Sequence, residues 1–320
     1  MKRRIIIDCD PGVDDSAAIL LALASPELDV LGLSVVGGNV PLAATTRNAC
    51  KIAELAGRPK LPIYAGCPGP LVRPQIFGKY VHIGAFSDEL LPPPAIPLAE
   101  GHAVQFIVRE ACAAAAKGET ITLCCMAPLT NVALALLHDE QAQRGIDRIV
   151  MMGGAFSALG NRAPWAEFNI LADPHAAEIV FTSGVPVVMM PLDVTFQALM
   201  TEDHLARLRR LGGAPAKALA SLISAFDRSD HARFGRPGGP LHDATVIAWL
   251  LRPDLFKGRP AAVGVATQGV TSGHTYADFY GKGDRPINAE VMQNIDAEGF
   301  FDLLIERLSR KDERDSKPGR

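Results

Sequence analysis

The sequence predicts an α/β fold: a single domain with a mostly parallel, twisted sheet flanked by helices. Two observations carry that expectation. Over the first 190 residues, short runs rich in Ile, Val and Leu alternate with longer stretches of helical apolar spacing. That is the pattern of a parallel sheet covered on both faces. The residues richest in chemistry (Asp8 to Asp15, Asn39, Met126, Met152 and Asp193) all fall just after predicted strands. Ligands of such sheets bind at the carboxyl ends of strands, so groups distant in sequence can meet in one crevice.

The elements follow in order. Ile5-Ile6-Ile7 reads as a buried strand that turns at Pro11-Gly12 into a helix running to Leu23. Residues 29–36 (DVLGLSVV) form a second strand ending at Gly37-Gly38-Asn39. A helix is expected over 41–57, with Pro41 at its start and Gly57 as its stop. A short strand at 62–65 precedes a Pro- and Gly-rich segment, 66–97, that lacks periodicity and carries His82. A loop of that length inside a compact domain is often functional. Residues 100–117 predict an alanine-rich helix, 120–125 a strand, 128–138 a helix, and 147–152 a strand stopped by Gly153-Gly154. An irregular stretch, 155–170, holds Asn161, Glu167, Phe168 and Asn169. A helix over 173–183, with an Asp cap and a Pro in its first turn, leads to a strand at 186–190. The alternation then changes. Helices over 201–210 and 215–227 lead to a basic, glycine-rich segment at 228–239. A helix over 242–251 opens with His242-Asp243, strands and polar turns fill 260–291, and a helix closes at 296–310. No internal repeat or linker divides the chain, so one domain is expected over 1–310, with a charged, disordered tail at 311–320.

Composition narrows the function classes. About half of the 320 residues are apolar, enough for a large core. A net charge of −3 argues against a nucleic-acid-binding surface, which usually needs a basic excess. Lys2-Arg3-Arg4 looks like the start of an export signal, but only three isoleucines follow before Asp8. The longest uncharged run, 120–137, is broken by Pro128 and Thr130-Asn131, so no membrane span is expected. Six cysteines without a CxxC pair read as reduced thiols of a cytoplasmic protein.

Asp8, Asp10, Asp14 and Asp15 place four carboxylates within eight residues, at a strand end and the first turn of a helix. Two carboxylates about 4 Å apart repel by roughly 4 kcal/mol at an effective dielectric near 20. A cation relieves that repulsion; protonation or splaying into solvent are the alternatives. Helix capping accounts for one or two of the four. Hard oxygen donors without Cys or His select Ca²⁺ or Mg²⁺ over zinc. The spacing of an EF-hand is absent. The D-x-D start also resembles aspartyl phosphatases of the haloacid dehalogenase group, but Gly12 stands where those have Thr or Val. Read alone, His242 is a helix-start residue, Asn39, Asn161 and Asn169 are turn asparagines, and His82 is a loop histidine.

Together these pieces resemble the inosine–uridine-preferring nucleoside hydrolase family. The matching residues are Asp8-Cys9-Asp10-Pro11-Gly12-Val13-Asp14-Asp15, Gly38-Asn39, Pro128-Leu129-Thr130-Asn131, Met152-Gly153-Gly154-Ala155, Gly160-Asn161, Ala166-Glu167-Phe168-Asn169-Ile170 with Asp173-Pro174, and His242-Asp243. They run in order through nearly the whole chain. The resemblance implies a Rossmann-like sheet core and Ca²⁺-dependent hydrolysis of the N-glycosidic bond of ribonucleosides such as inosine, uridine or cytidine. By position it makes Asp10, Asp15, Asp243 and the Met126 carbonyl the calcium ligands. It makes Asp10 the general base towards a water and His242 the acid towards the leaving base. Asp14, Asn39 and Asn169 would orient the ribose 2′- and 3′-hydroxyls, and Asn161, Glu167 and Met152 would surround the 5′-hydroxyl. Phe168 would shield the ribosyl cation, and His82 would contact substrate. A homodimer or homotetramer is implied as well.

The sequence departs from the family's pattern at several positions. Met126-Ala127 replace a common Thr-Gly, and Ile83 separates His82 from Gly84. Ile83 also supplies no Trp of the kind that purine-specific relatives stack on the base. The segment 226–234, with Asp227, His231 and Arg233, is the expected base contact. A modified riboside as substrate, or ribose binding without turnover, are the alternative functions.

Overall fold

The computed structural model describes residues 2–309 apart from Tyr80, Ala85, Gly212, residues 227–230 and Arg236. The expected tail and Asp227 therefore lie outside the described residues. Strand β1 (Arg3–Cys9) feeds α1 (Val13–Leu23), followed by β2 (Leu28–Val35), α2 (Leu42–Leu55) and β3 (Ile63–Ala65). After the long loop come α3 (Ala103–Ala115), β4 (Ile121–Cys125), α4 (Thr130–His138), α5 (Glu140–Arg144) and β5 (Ile146–Met152). Then follow α6 (Phe168–Ala172), α7 (Pro174–Thr182), β6 (Val187–Met190), α8 (Leu192–Thr195), β7 (Leu199–Met200), α9 (Glu202–Arg210) and α10 (Ala214–Ala225). The last elements are α11 (His231–Phe234), β8 (Gly239–Pro240), α12 (Ala244–Leu251), β9 (Phe256–Val265), β10 (Thr275–Asp278), β11 (Ala289–Ile295) and α13 (Ala297–Ser309).

Nine strands form one sheet in the order β10-β9-β11-β6-β5-β4-β1-β2-β3. From β11 to β3 every neighbouring pair is parallel, and β9 and β10 add an antiparallel edge. The chain moves outward from β1 through β2 to β3, then returns to the other side of β1 with β4. The β1/β4 boundary is therefore the topological switch point, where parallel sheets open a binding crevice.

Side-chain alternation along β1 divides the core. Ile5, Ile7 and Cys9 pack into the layer with α1, α10, α12 and α13, whereas Ile6 joins α3, α4 and α7 on the opposite face. Helix α1 is buried along nearly its whole length, as its sequence VDDSAAILLAL allows. A helix apolar on all sides is stable only with neighbours all round. This packing fixes its N-terminus, and with it Asp14 and Asp15, relative to the end of β1. Among the described residues no helix is long and apolar enough to cross a membrane.

Candidate active site

The loop from Cys9 to Val13 is short and tightly bonded. The Asp15 carboxylate reaches back to accept the Asp10 N–H at 3.1 Å and the Gly12 N–H at 2.9 Å, closing the turn between β1 and α1. Asp10 Oδ2 accepts the Asn39 N–H at 2.5 Å, and Asn39 Nδ2 donates to the Asp10 carbonyl at 3.2 Å. Those bonds join the ends of β1 and β2. Gly38 is required for this approach: a Cβ there would sit 2.1 Å from Asp10 Oδ2.

Asp14, Asp15 and Asp243 bring one carboxylate oxygen each within 4.8 Å of one another. Asp243 reaches the cluster from the start of α12, about 230 residues away in sequence. Asp10 and Asp15 are fully buried. Asp10 Oδ1 has no hydrogen-bond partner among the described residues. Burial, and then the neighbouring Asp15 charge, pushes the Asp10 carboxyl well above its ordinary range. Burial followed by the Asp14 charge pushes Asp15 up to about 7. At 4.8 Å two such charges repel by about 3 kcal/mol at an effective dielectric of 20. Three converging carboxylates, with an orphaned buried oxygen on Asp10, whose N–H is bonded to one of them, fit a hard divalent cation.

Asp8 has a different role. Its side chain points to the face that Ile6 occupies, where Oδ1 accepts Ser34 Oγ at 2.5 Å and Asn131 Nδ2 at 3.0 Å. Asn131 Nδ2 also reaches Ser34 Oγ, and its Oδ1 accepts the Cys67 N–H at 2.8 Å. One amide thus joins the ends of β1 and β2 to the start of the long loop. Burial, only partly offset by those hydrogen bonds, pushes Asp8 up to about 7.

Beyond β4 and β5 the backbone carbonyls converge. Asn169 Nδ2 donates to the Met126 and Met152 carbonyls, both at 3.2 Å. Glu167 caps α6 with Oε1 on the Asn169 N–H and Oε2 on those of Ile170 and Gly154. Its burial, against the pull of those N–H groups, raises it to about 7. Asn161 is exposed, and its Oδ1 accepts the Phe168 N–H at 2.9 Å. Asp193 holds the loop between them by accepting the Phe156, Ser157 and Ala158 N–H groups. His242 is half-buried beside Asp243, with Nδ1 2.7 Å from Thr195 Oγ1. Phe196 stands 5.8 Å from its ring, faces Phe234 and lies under the Arg233 guanidinium. His82 is exposed on a single 3₁₀ turn, Val81–Ile83. It follows Gly78, whose N–H donates to the Asn39 carbonyl.

The family model described as inosine-uridine preferring nucleoside hydrolase matches residues 5–302. The chain belongs to this family. Its relatives include the pyrimidine-specific ribonucleoside hydrolase RihA of Salmonella typhi, 44% identical over 312 residues, which are 96% of this chain and 99% of that one. An uncharacterized protein of Schizosaccharomyces pombe is 44% identical over 309 residues, 96% of this chain and 99% of its own. Among solved structures, a purine-preferring ribonucleoside hydrolase from Gardnerella vaginalis superposes with a TM-score of 0.86 at 31% identity, covering 96% of this chain and 98% of that one. The fold and the enzyme class follow: this nucleoside hydrolase is an N-glycosyl hydrolase of ribonucleosides.

Of the strand-end positions, Asn39 is bonded to the acidic loop and the Met126 and Met152 carbonyls meet at Asn169, whereas Asp193 binds the backbone of residues 156–158; Asp243 joins the acidic cluster from the start of α12. Sequence reasoning missed the Ser34–Asp8–Asn131 clamp and Thr195. Ser34 and Thr195 are lone hydroxyls in apolar runs and carry no local signal. Asn131 had one, because it sits within the Pro128-Leu129-Thr130-Asn131 motif.

Proposed function

We propose that the enzyme hydrolyses ribonucleosides with a Ca²⁺ ion at the acidic cluster, and that pyrimidine ribonucleosides are its best substrates. Two observations carry the metal reading: the convergence of Asp14, Asp15 and Asp243, and the buried, unsatisfied Oδ1 of Asp10, whose carboxyl feels the charges of Asp15 and Asp14. The base preference rests on the 44% identity to a relative named pyrimidine-specific, against 31% to a purine-preferring one.

Asp10, Asp15, Asp243 and the Met126 carbonyl would hold the ion. When bound, it supplies Lewis-acid polarisation to a water and to the sugar's vicinal hydroxyls. Asp10 takes the proton from the attacking water as general base. Asp14, Asn39 and Asn169 orient the 2′- and 3′-hydroxyls. With Nδ2 of Asn169 committed to two carbonyls, its Oδ1 is the atom for a sugar hydroxyl. Asn161, Glu167 and Met152 surround the 5′-hydroxyl, and His82 closes over the substrate from the loop. The N-glycosidic bond breaks through an oxocarbenium-like state, its electron pair passing to the base nitrogen. The surrounding carboxylates stabilise the ribosyl charge and Phe168 shields it. His242 gives the departing base its proton. All six cysteines are free, which fits the cytoplasm as its compartment, and the family resemblance supports a homodimer or homotetramer.

A panel of uridine, cytidine, inosine and adenosine tests the substrate assignment. We expect kcat/KM to be highest for uridine or cytidine. Inosine as the best substrate would overturn the base preference, and base release from none of the four would overturn the assignment to ordinary nucleosides.

A further inference from the structure

We propose that Thr195 is a positioning residue that fixes the orientation of the His242 imidazole, so that its Nε2 edge serves the leaving base. This rests on the reading of His242 as the acid. Thr195 is fully buried in α8, with its N–H on the Pro191 carbonyl, so its hydroxyl has a fixed origin. Its Oγ1 lies 2.7 Å from His242 Nδ1. The backbone of His242 is held to the same segment. Leu199 pairs with Pro240, Met200 pairs with Gly239, and the Leu241 N–H donates to the Ala198 carbonyl at 3.0 Å. On its other side, the His242 carbonyl accepts both the N–H and the hydroxyl of Thr245 at the start of α12. With both flanks held, the remaining freedom is the two side-chain torsions of His242.

The Thr195 contact removes that freedom, and Phe196, the next residue, stands beside the ring at 5.8 Å. A histidine has two chemically distinct nitrogens, and the bond made by one decides which proton the other can give. With Nδ1–H donated to Thr195 Oγ1, the proton that passes to the base leaves Nε2. The Nδ1–H bond is then the same before and after transfer, so no reorganisation accompanies the breaking of the glycosidic bond. A hydroxyl suits this better than a carboxylate here, because it adds no further negative charge beside Asp243.

The test compares T195V, T195S and H242A on uridine and on p-nitrophenyl riboside, whose leaving group departs without protonation. General acid catalysis contributes about 10²–10⁴-fold, so losing its orientation should cost T195V about tenfold or more in kcat on uridine. We expect less than about threefold loss on p-nitrophenyl riboside, with T195S recovering most of the uridine rate. Thermal melts establish that each variant is folded. The ¹⁵N shifts of the His242 ring in the wild type and in T195S report the same contact independently if T195V does not fold. A protonated Nδ1 in both supports the proposal, and an unprotonated Nδ1 overturns it. Equal losses on both substrates for T195V, or none on either, overturn the role of Thr195 if H242A remains selective for uridine. If H242A is itself unselective, the acid reading fails and this inference with it.

Discussion

Asp10 is held in two ways that work against each other. The Asn39 N–H grips Oδ2, and Gly38 lets the carboxylate pack against the backbone, yet Oδ1 is left buried without a partner. A buried acceptor in that state costs roughly 1–3 kcal/mol, more if charged. Such a group persists where a ligand completes it. Asp10→Asn keeps the shape while removing the base and one anionic donor. We expect kcat to fall by about 10³-fold or more, with nucleoside binding still measurable by calorimetry. An Asp10→Asn enzyme with normal kcat would show that another group activates the water. At this scale the acidic loop was the most legible part of the sequence, because its carboxylates are neighbours in the chain. For Asp8 a supporting role at the loop was legible, but its partners were not. Its partners Ser34 and Asn131 lie 26 and 123 residues away, and only the strand's alternation turns it from the cluster to the opposite face.

Among the elements, α2 carries the long loop. Asn48, Lys51 and Glu54 recur at helical spacing along one side of it. Asn48 bridges the Pro11 carbonyl and the Phe86 N–H. Lys51, fully buried, donates to the Phe86 and Leu91 carbonyls and to Asp88. Glu54 accepts the Ala95 and Ile96 N–H groups. The loop is therefore fastened to the same turn that bears Asp10 and Asp15. Lys51→Met strands two carbonyls, which at about 1–3 kcal/mol each should lower stability by roughly 2–6 kcal/mol. Because the loop bears His82, KM should rise more than kcat falls. Denaturant melts and steady-state kinetics check both, and a kcat loss with KM unchanged would contradict the loop's binding role. Most strands and helices were legible from periodicity to within a few residues. Helices α5 and α6 were not, since five residues are too few to show a period. For α6 the cap is a glutamate, Glu167, whereas the usual N-cap residues are Ser, Thr, Asp and Asn.

For the whole molecule, the order of strands decides where the chemistry occurs. Pairing β1 with both β2 and β4 puts the loop that bears Asp10 at the switch point of the sheet, and the start of α12 then brings Asp243 to it. That convergence was legible only as a set of strand ends, because pairing order depends on contacts between distant segments. The site also links stability to pH. Without a cation, Asp8 and Asp15 have been raised from near 3.8 to about 7, and Asp10 has been raised too. Between those values the folded chain holds protons that the unfolded chain has shed, so stability falls as pH rises through about 4 to 7. A bound cation favours the charged carboxylates and removes that loss. At calcium about 100-fold above its dissociation constant the gain is about 2.7 kcal/mol. Melting temperature should therefore respond to calcium more at pH 8 than at pH 5. The most direct measurement follows base release from uridine at pH 8 by chelated protein as calcium is added back. We predict negligible release after chelation and full recovery on saturable addition of calcium; undiminished release by protein shown to be free of metal would contradict the cation-centred account.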